Sequence, residues 1–182
     1  MKSNFFAIVL IAVTLFSCKD NKKETNAEVN ADEPKKENFF KVTFDVVVKK
    51  DDNFHLYYTE DGSINFNEKQ SVWVPVKGSE KEQEVVFNLP EDAAPSNLRV
   101  DLGYGVNKEQ TEIILNKFKM DYFGKSFEAK DSLIYNYFYE NKDNTIIDKK
   151  TNTIKRLKVD QETAPSLYPH IPLAEEIAKM VK

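Results

Sequence analysis

Residues 40–48 read FKVTFDVVV, and this stretch decides the fold class. Over its first six positions apolar and polar residues alternate, which is the two-residue period of a strand with one buried face. Its last three residues are all valine and are therefore apolar on both faces, which indicates burial on both sides. The stretch predicts a β-strand that begins half-exposed and ends buried.

Similar runs follow at spacings of about ten to fourteen residues, close to the intervals between strands of all-β domains. No amphipathic helix long enough to connect parallel strands separates them, so neighbouring strands should be antiparallel. A mainly β fold, either a sandwich or a barrel, is therefore predicted. The predicted strands are residues 54–59, 71–76, 84–89, 97–102, 111–120 and 122–128, followed by a hairpin of residues 144–147 and 153–159.

The strand at residues 71–76, SVWVPV, also predicts its own place in a sheet. Its three valines share one face and Trp73 lies on the other, because side chains alternate along a strand. Pro75 has no N–H to donate to a neighbouring strand. This strand should therefore lie at a sheet edge or contain a bulge.

The carboxyl-terminal part of the chain predicts two short helices. Residues 131–141 fit a helix that Asp131 or Ser132 would cap. Residues 172–182 predict the second helix, because Pro172 suits its first turn. The apolar residues of this second helix share one side; they are Leu173, Ile177, Met180 and Val181.

The amino-terminal residues predict export from the cytoplasm. Lys2 supplies a positive charge, and residues 5–16 form an apolar run broken by a single threonine. Twelve residues of helix reach about 18 Å, which is too short for a hydrocarbon core of about 30 Å. This combination is typical of a secretory signal peptide rather than a membrane span.

Residues 15–18, Leu-Phe-Ser-Cys, resemble the lipobox of bacterial lipoproteins. The resemblance implies that residues 1–17 are a signal peptide and that the thiol of Cys18 is diacylglycerylated. The mature chain would then be anchored by lipid to a membrane of the cell envelope, with the outer membrane, on its periplasmic or surface-facing side, as the favoured location. The alternative is an ordinary signal peptide whose cleavage boundary happens to contain the only cysteine.

Residues 18–38 are predicted to be the lipidated cysteine followed by a disordered tether. Eleven of the twenty residues from 19 to 38 are charged and none is aromatic, so the segment cannot bury enough apolar surface to fold alone. A polar helix is the alternative. Residues 39–182 are then predicted to form a single β-sandwich domain with a helical carboxyl-terminal tail.

Composition and motifs argue against several functional classes. The formal net charge is −4 and becomes −5 once Lys2 is removed with the signal peptide, so nucleic acid is not a predicted partner. Neither a serine-nucleophile motif nor a glycine-rich phosphate loop occurs. The sequence therefore predicts a protein that is not an enzyme, with no catalytic residue and no cofactor.

No metal site is predicted either. His55 and His170 are expected to be surface histidines, because His55 has no nearby cysteine and no carboxylate at ligand spacing on its own strand. Residues 61–65 and 140–144 contain side-chain oxygens that could bind calcium, but neither segment matches an EF-hand loop. Both segments are interpreted as turns.

Residues 97–103, NLRVDLG, resemble the Leu-Arg-hydrophobic-Asp-Pro-Gly segment of jelly-roll β-sandwich modules attached to bacterial envelope-polysaccharide enzymes and transporters. The likeness covers about residues 40–130. It implies an antiparallel, jelly-roll-like β-sandwich of the galactose-binding-like type, a superfold that often binds carbohydrate. The segments that follow the same strand and loop order are residues 56–58, 66–68, 71–76, 111–115 and 118–120.

The aromatic pattern supplies the candidate binding residues. If the apolar side of the strand at residues 54–59 faces the core, Tyr57 faces outward, as Trp73 does on its own strand. Exposed aromatic rings can stack on the apolar faces of sugars. Arg99 and Asp101 share an outer face, where they are expected to pair. The alternative for Tyr57 and Trp73 is a second small core beneath a loop or the last helix.

The sequence thus predicts a lipid-anchored, non-catalytic envelope protein with glycan as the favoured ligand class. The candidate ligand-binding residues are Tyr57, Trp73, Arg99 and Asp101. The alternative is a scaffold lipoprotein that docks an envelope protein partner through a sheet edge or through the helix at residues 172–182. Enzyme activity ranks third.

Overall fold

The computed structural model describes residues 39–103, 109 and 112–182. The predictions for the signal peptide, for Cys18 and for the tether fall on residues outside these ranges. Among the helices of the described residues, none combines the length and apolar character needed to cross a membrane.

Two antiparallel sheets make up the described part of the chain. In chain order the strands are β1 (Lys41–Val48), β2 (Asp52–Thr59), β3 (Ser71–Val76), β4 (Gln83–Asn88), β5 (Asn97–Asp101), β6 (Glu112–Tyr122), β7 (Lys125–Lys130), β8 (Phe138–Glu140), β9 (Thr145–Asp148), β10 (Thr153–Arg156) and β11 (Ser166–Pro169), followed by helix α1 (Ile171–Val181). The predicted mainly β, antiparallel sandwich is confirmed.

The six-stranded sheet has the order β4-β1-β6-β10-β9, and β7 pairs with the second half of the long strand β6. The five-stranded sheet has the order β3-β2-β5-β11-β8. Phenylalanine rings from both sheets meet between them. The ring centroid of Phe118 on β6 lies 5.4 Å from that of Phe44 on β1. It lies 4.9 Å from that of Phe138 on β8, in an edge-to-face arrangement. All three rings are fully buried, so this contact joins the two sheets.

Strand β1 is buried along nearly its whole length, and the prediction of a half-exposed start was wrong. The strand pairs with β4 on one side and with β6 on the other. Side chains from both neighbours therefore cover its outer face, and Thr43 and Asp45 are buried. Asp45 is accommodated there because its Oδ2 lies 2.7 Å from the Nζ of Lys117 on β6.

Strand β3 lies at the edge of the five-stranded sheet, as Pro75 predicts. Its valines face the core, with Val76 buried and the other two partly buried against the core cluster. Trp73 faces the opposite side and keeps 44% of its surface exposed. The alternation in residues 71–76 therefore describes this strand correctly.

The segment after β7 differs from the predicted helix. A 3-10 helix spans Asp131–Asn136, and the chain then enters β8. Neither Asp131 nor Ser132 is the cap, because Lys130 occupies that position without a side-chain hydrogen bond. The helix ends early because Phe138 is drawn into the core by pairing of β8 with β11.

The predicted hairpin and last helix are both present. Strands β9 and β10 pair in antiparallel fashion, although β10 ends at Arg156 rather than at residue 159. Helix α1 buries Leu173, Ile177 and Met180 against the core. Because the protein's own core covers this apolar side, it is not a free surface for a partner.

Candidate functional site

Strand register brings the four predicted ligand-binding residues onto one outer face. His55 on β2 lies opposite Trp73 on β3 and opposite Asp101 on β5. Tyr57, two residues further along β2, lies opposite Arg99. Because residues two apart share a face of a strand, these side chains form two adjacent rows across the five-stranded sheet.

An aromatic stack is built around His55. Its ring centroid lies 3.7 Å from that of Trp73, and the planes of these two rings are nearly parallel, with an angle of 19° between them. The ring centroid of Tyr57 lies 3.8 Å from that of His55. These neighbours leave His55 only 1% exposed, so the prediction of a surface histidine was wrong. The imidazole supports one side of the indole, and Trp73 remains partly open to solvent.

Arg99 and Asp101 pair with each other, as their shared face predicts. The Nε of Arg99 donates to Oδ1 of Asp101 at 2.9 Å, and Nη2 donates to Oδ2 at 2.7 Å. The guanidinium also lies between two rings, with its Cζ 4.8 Å from the centroids of Tyr57 and Tyr168. A guanidinium held along one edge by a carboxylate and flanked by two aromatic rings has a fixed position.

Glu68 joins this face from the loop between β2 and β3. The 3-10 turn Glu68–Gln70 begins at Asn67, whose side chain accepts a hydrogen bond from the backbone N–H of Lys69 at 3.0 Å. Oε1 of Glu68 accepts from the hydroxyl of Tyr57 at 3.1 Å, and Oε2 lies 3.6 Å from Nε2 of His55. The carboxylate therefore fixes the hydroxyl end of Tyr57.

Burial sets the protonation states on this face. It lowers the pKa of His55, and the nearby charge of Glu68 offsets only part of that effect. Burial and the hydrogen bond to Glu68 both raise the pKa of Tyr57. At neutral pH the imidazole is accordingly neutral and the phenol keeps its proton. Burial also raises the pKa of Asp101, against the opposing effect of Arg99.

An open pocket of about 740 Å³ lies over these residues. Tyr57, Trp73, Arg99 and Asp101 all contribute to its walls, and its size is within the usual range for small-ligand sites. The sequence had suggested a common face but not a pocket. The further lining residues are His55, Glu68, Gly103, Asn141, Asn144 and residues 160–164.

The second wall of the pocket, residues 160–164, is held by Gln161. Its side-chain Nε2 donates to the carbonyl oxygens of Asn144 and Thr163, both at 2.8 Å. Its Oε1 accepts from the backbone N–H of Lys158 at 2.9 Å. Gln161 therefore ties this segment to the start of β9, although no sequence motif marks it.

Sequence reasoning missed Glu68, His55 as a member of the stack, and the whole second wall. Only one local signal was present, namely Asn67 ahead of the 3-10 turn, which is a favourable capping residue. His170, by contrast, is exposed as predicted and contacts Tyr139 at a centroid distance of 4.9 Å, outside the pocket.

The two acidic segments considered for calcium both form turns. The backbone N–H of Ser63 donates to Oδ1 of Asp61 at 3.0 Å, and that of Asp143 donates to Oδ1 of Asn141 at 3.1 Å. These side-chain oxygens thus stabilise their own turns. Within the described ranges, no group of three or more His, Cys, Asp or Glu side chains is arranged to hold a metal ion.

Comparison with protein-family models, with curated proteins and with solved structures finds no match to this chain. The resemblance to jelly-roll modules of envelope-polysaccharide proteins therefore stays a prediction. The pocket itself, with its aromatic wall, its paired Arg99 and Asp101 and its polar second wall, is the basis for a functional proposal.

Proposed function

We propose that this protein binds glycans without catalysis at the pocket on the outer face of its five-stranded sheet. The observation that carries the proposal is the convergence of Tyr57, Trp73, Arg99 and Asp101 around one open pocket. Trp73 presents a large aromatic surface there, with 44% of the residue exposed. Apolar faces of sugar rings stack on such surfaces, and the polar wall supplies hydrogen-bond partners for hydroxyls.

The contacts within the pocket favour binding by a preorganised surface. His55 supports the ring of Trp73, Glu68 holds the hydroxyl of Tyr57, and Asp101 holds Arg99. Ordering a flexible side chain on binding costs about 0.5–1.5 kcal/mol. Side chains that are already ordered avoid most of that cost, so a shallow site of this kind can still bind a sugar.

The same contacts support a binding role over a catalytic one. Both carboxylate oxygens of Asp101 accept hydrogen bonds from Arg99, and the buried imidazole of His55 lies between two rings. A general acid or base must reach the substrate proton directly or through one water. These groups instead orient one another and the two aromatic rings.

The lipid on Cys18 belongs to the same proposal. A membrane anchor would confine the domain near glycans of the envelope, and confinement raises the effective concentration of a weakly bound ligand. The outer membrane is the proposed location. An envelope protein bearing the glycan would present the same ligand to the pocket.

Trp73→Ala tests the proposal. The purified full-length protein would be screened on a glycan array, and the affinity for the best ligand would be measured by calorimetry. Loss of the stacking surface should weaken binding about tenfold or more. Phe123→Ala is the matched control, because Phe123 is a similarly exposed aromatic residue outside the pocket. Absence of any glycan ligand, or unchanged affinity in Trp73→Ala, would contradict the proposal.

A further inference from the structure

Negative charge dominates the walls of the pocket. Its lining residues include four carboxylates, on Glu68, Asp101, Asp160 and Glu162, and one guanidinium, on Arg99. Arg99 and Asp101 neutralise each other through two hydrogen bonds. The charge presented to a ligand therefore comes from the other three carboxylates.

Arg99 is also partly committed to Asp101, which occupies one edge of its guanidinium. Nε and Nη2 donate to Asp101, and Cζ lies 4.8 Å from the ring centroids of both Tyr57 and Tyr168. An acidic sugar would have to compete with Asp101 for the guanidinium while facing Glu68. The pocket therefore disfavours uronate or sulfated glycans.

The three remaining carboxylates are open to a ligand. The side chain of Glu68 is 71% exposed, and Asp160 and Glu162 are exposed on the second wall. Among the residues that the structure describes, neither Asp160 nor Glu162 has an ion pair or a side-chain hydrogen bond. They therefore face the pocket without a compensating charge from the described part of the chain.

A buried histidine nitrogen lies beside one of these carboxylates. Nε2 of His55 has no hydrogen-bond partner among the described groups, and Oε2 of Glu68 is 3.6 Å away. A buried polar atom without a partner carries a free-energy cost that a bound group can relieve. Oε1 of Glu68 holds Tyr57 while Oε2 is directed towards the imidazole, so with the imidazole proton on Nδ1 a ligand donor placed beside Nε2 and Oε2 would reach both acceptors.

We propose that the preferred ligand is a glycan whose sugars carry free, protonated amino groups, a specificity that rests on the glycan-binding function proposed above. An ammonium group has three donors and no acceptor, which matches a wall of carboxylates and an imidazole nitrogen. The rings of Trp73 and Tyr57 attract a cation through their π faces. The sugar ring stacks on Trp73, and the interaction of its ammonium group with the carboxylates makes the pocket specific for amine-bearing sugars.

The experiment compares two tetramers of equal length, one of β-1,4-linked glucosamine and one of its fully N-acetylated counterpart. Binding to the full-length protein would be followed by the fluorescence of Trp73, the only tryptophan in the chain. The measurement would be made at about pH 5.5, because neighbouring oxygens lower the pKa of a sugar amine below the value of about 8 for an α-amino group. We expect the amine-bearing tetramer to bind about tenfold more tightly at low salt, and the difference to shrink as salt is added.

A charge-removing variant assigns the preference to the carboxylates. In the triple variant Glu68→Gln, Asp160→Asn, Glu162→Gln the two tetramers should bind with nearly equal affinity. Each replacement keeps the shape of the side chain, and the amide oxygen that Glu68→Gln introduces can still accept from the Tyr57 hydroxyl. Glu84→Gln, on the outer face of the other sheet, is the control and should retain the tenfold preference.

The outcomes separate this inference from the function on which it rests. Equal binding of the two tetramers by the unchanged protein would overturn the amine preference and leave glycan binding intact. Failure of both tetramers and of every arrayed glycan would overturn the two proposals together. If tetralysine binds as tightly as the glucosamine tetramer, positive charge alone determines binding to the pocket, and the amine-bearing glycan is rejected as its ligand.

Discussion

The outer faces of the two sheets follow the same alternation but are built from different chemistry. On the six-stranded sheet the outward positions form simple ion pairs, such as Lys119 with Asp121 at 2.9 Å and Lys130 with Glu128 at 3.0 Å. On the five-stranded sheet Arg99 is paired with Asp101 at two atoms and flanked by two aromatic rings. Charged side chains alone can keep a face solvated, whereas outward-facing aromatic side chains around a pocket are consistent with the proposed binding function.

The largest expected difference between the two faces is in stability. Arg99→Met should lower the free energy of unfolding by about 2–3 kcal/mol, because it leaves the largely buried carboxylate of Asp101 without its cation. Lys130→Met on the other face should leave that free energy unchanged within error, because its ion pair is exposed. Urea denaturation of the two variants measures both values.

A second variant checks the cause of the Arg99 effect. Arg99→Met combined with Asp101→Leu should recover most of the lost stability, since no unpaired carboxylate remains. Arg99→Lys should not recover it, because lysine lacks the planar fork that binds both oxygens and stacks between rings. Equal losses in Arg99→Met and Lys130→Met would remove the physical distinction between the two faces.

A smaller effect on stability is expected from residues 160–164, the second wall of the pocket, which has no counterpart on the six-stranded sheet among the described residues. Gln161→Ala removes three hydrogen bonds that hold residues 160–164 and should cost about 1–2 kcal/mol of stability. It should also weaken glycan binding, because the wall would no longer be fixed over the sheet. Denaturation and calorimetry on the same preparation would measure the two effects.

Gln83→Ala is the matched control for Gln161→Ala. The Nε2 of Gln83 makes a single hydrogen bond, to the carbonyl oxygen of Lys77 at 2.7 Å, on the six-stranded sheet. Its removal should have a smaller effect on stability and none on glycan affinity. If both variants bind glycan as the unchanged protein does, the second wall plays no part in binding.

The sequence predicts the sheet face of the site because strand periodicity is local. Tyr57 and Trp73 each sit at an outward position that can be read from their immediate neighbours. The same holds for Arg99 and Asp101 on β5. What periodicity does not contain is the pairing of β2 with β3 and β5, which brings the four residues together.

The rest of the site depends on contacts between distant segments. Strand β11 has four residues, Ser166–Pro169, and ends in proline, so it has no strand signal of its own. Gln161 acts through the carbonyl oxygen of Asn144, seventeen residues away. His55 is buried by Trp73 from the next strand, so its environment could not be inferred from β2 alone.

The smallest expected effect concerns the charge of His55. Its pKa in the folded protein is lowered from 6.5, chiefly by burial, so below about pH 6.5 the unfolded state binds more protons than the folded state. The free energy of unfolding should therefore be at its full value near pH 7.5 and fall as the pH drops through 6.5 towards 5.5. His55→Phe, which keeps a ring between Trp73 and Tyr57, should lose this dependence. His170→Gln, at the exposed histidine, should retain it.

Glu68 determines how steep that dependence is. Its carboxylate raises the pKa of His55 and so offsets part of the effect of burial. Glu68→Gln should therefore make stability fall more steeply between pH 7.5 and 5.5, as measured by denaturation at fixed pH values. A stability that rises on acidification would mean that His55 is charged and paired with Glu68 in the folded protein. The pocket would then carry one net negative charge fewer. Its charge would differ less from that of the outer face of the six-stranded sheet, where acidic and basic side chains form ion pairs.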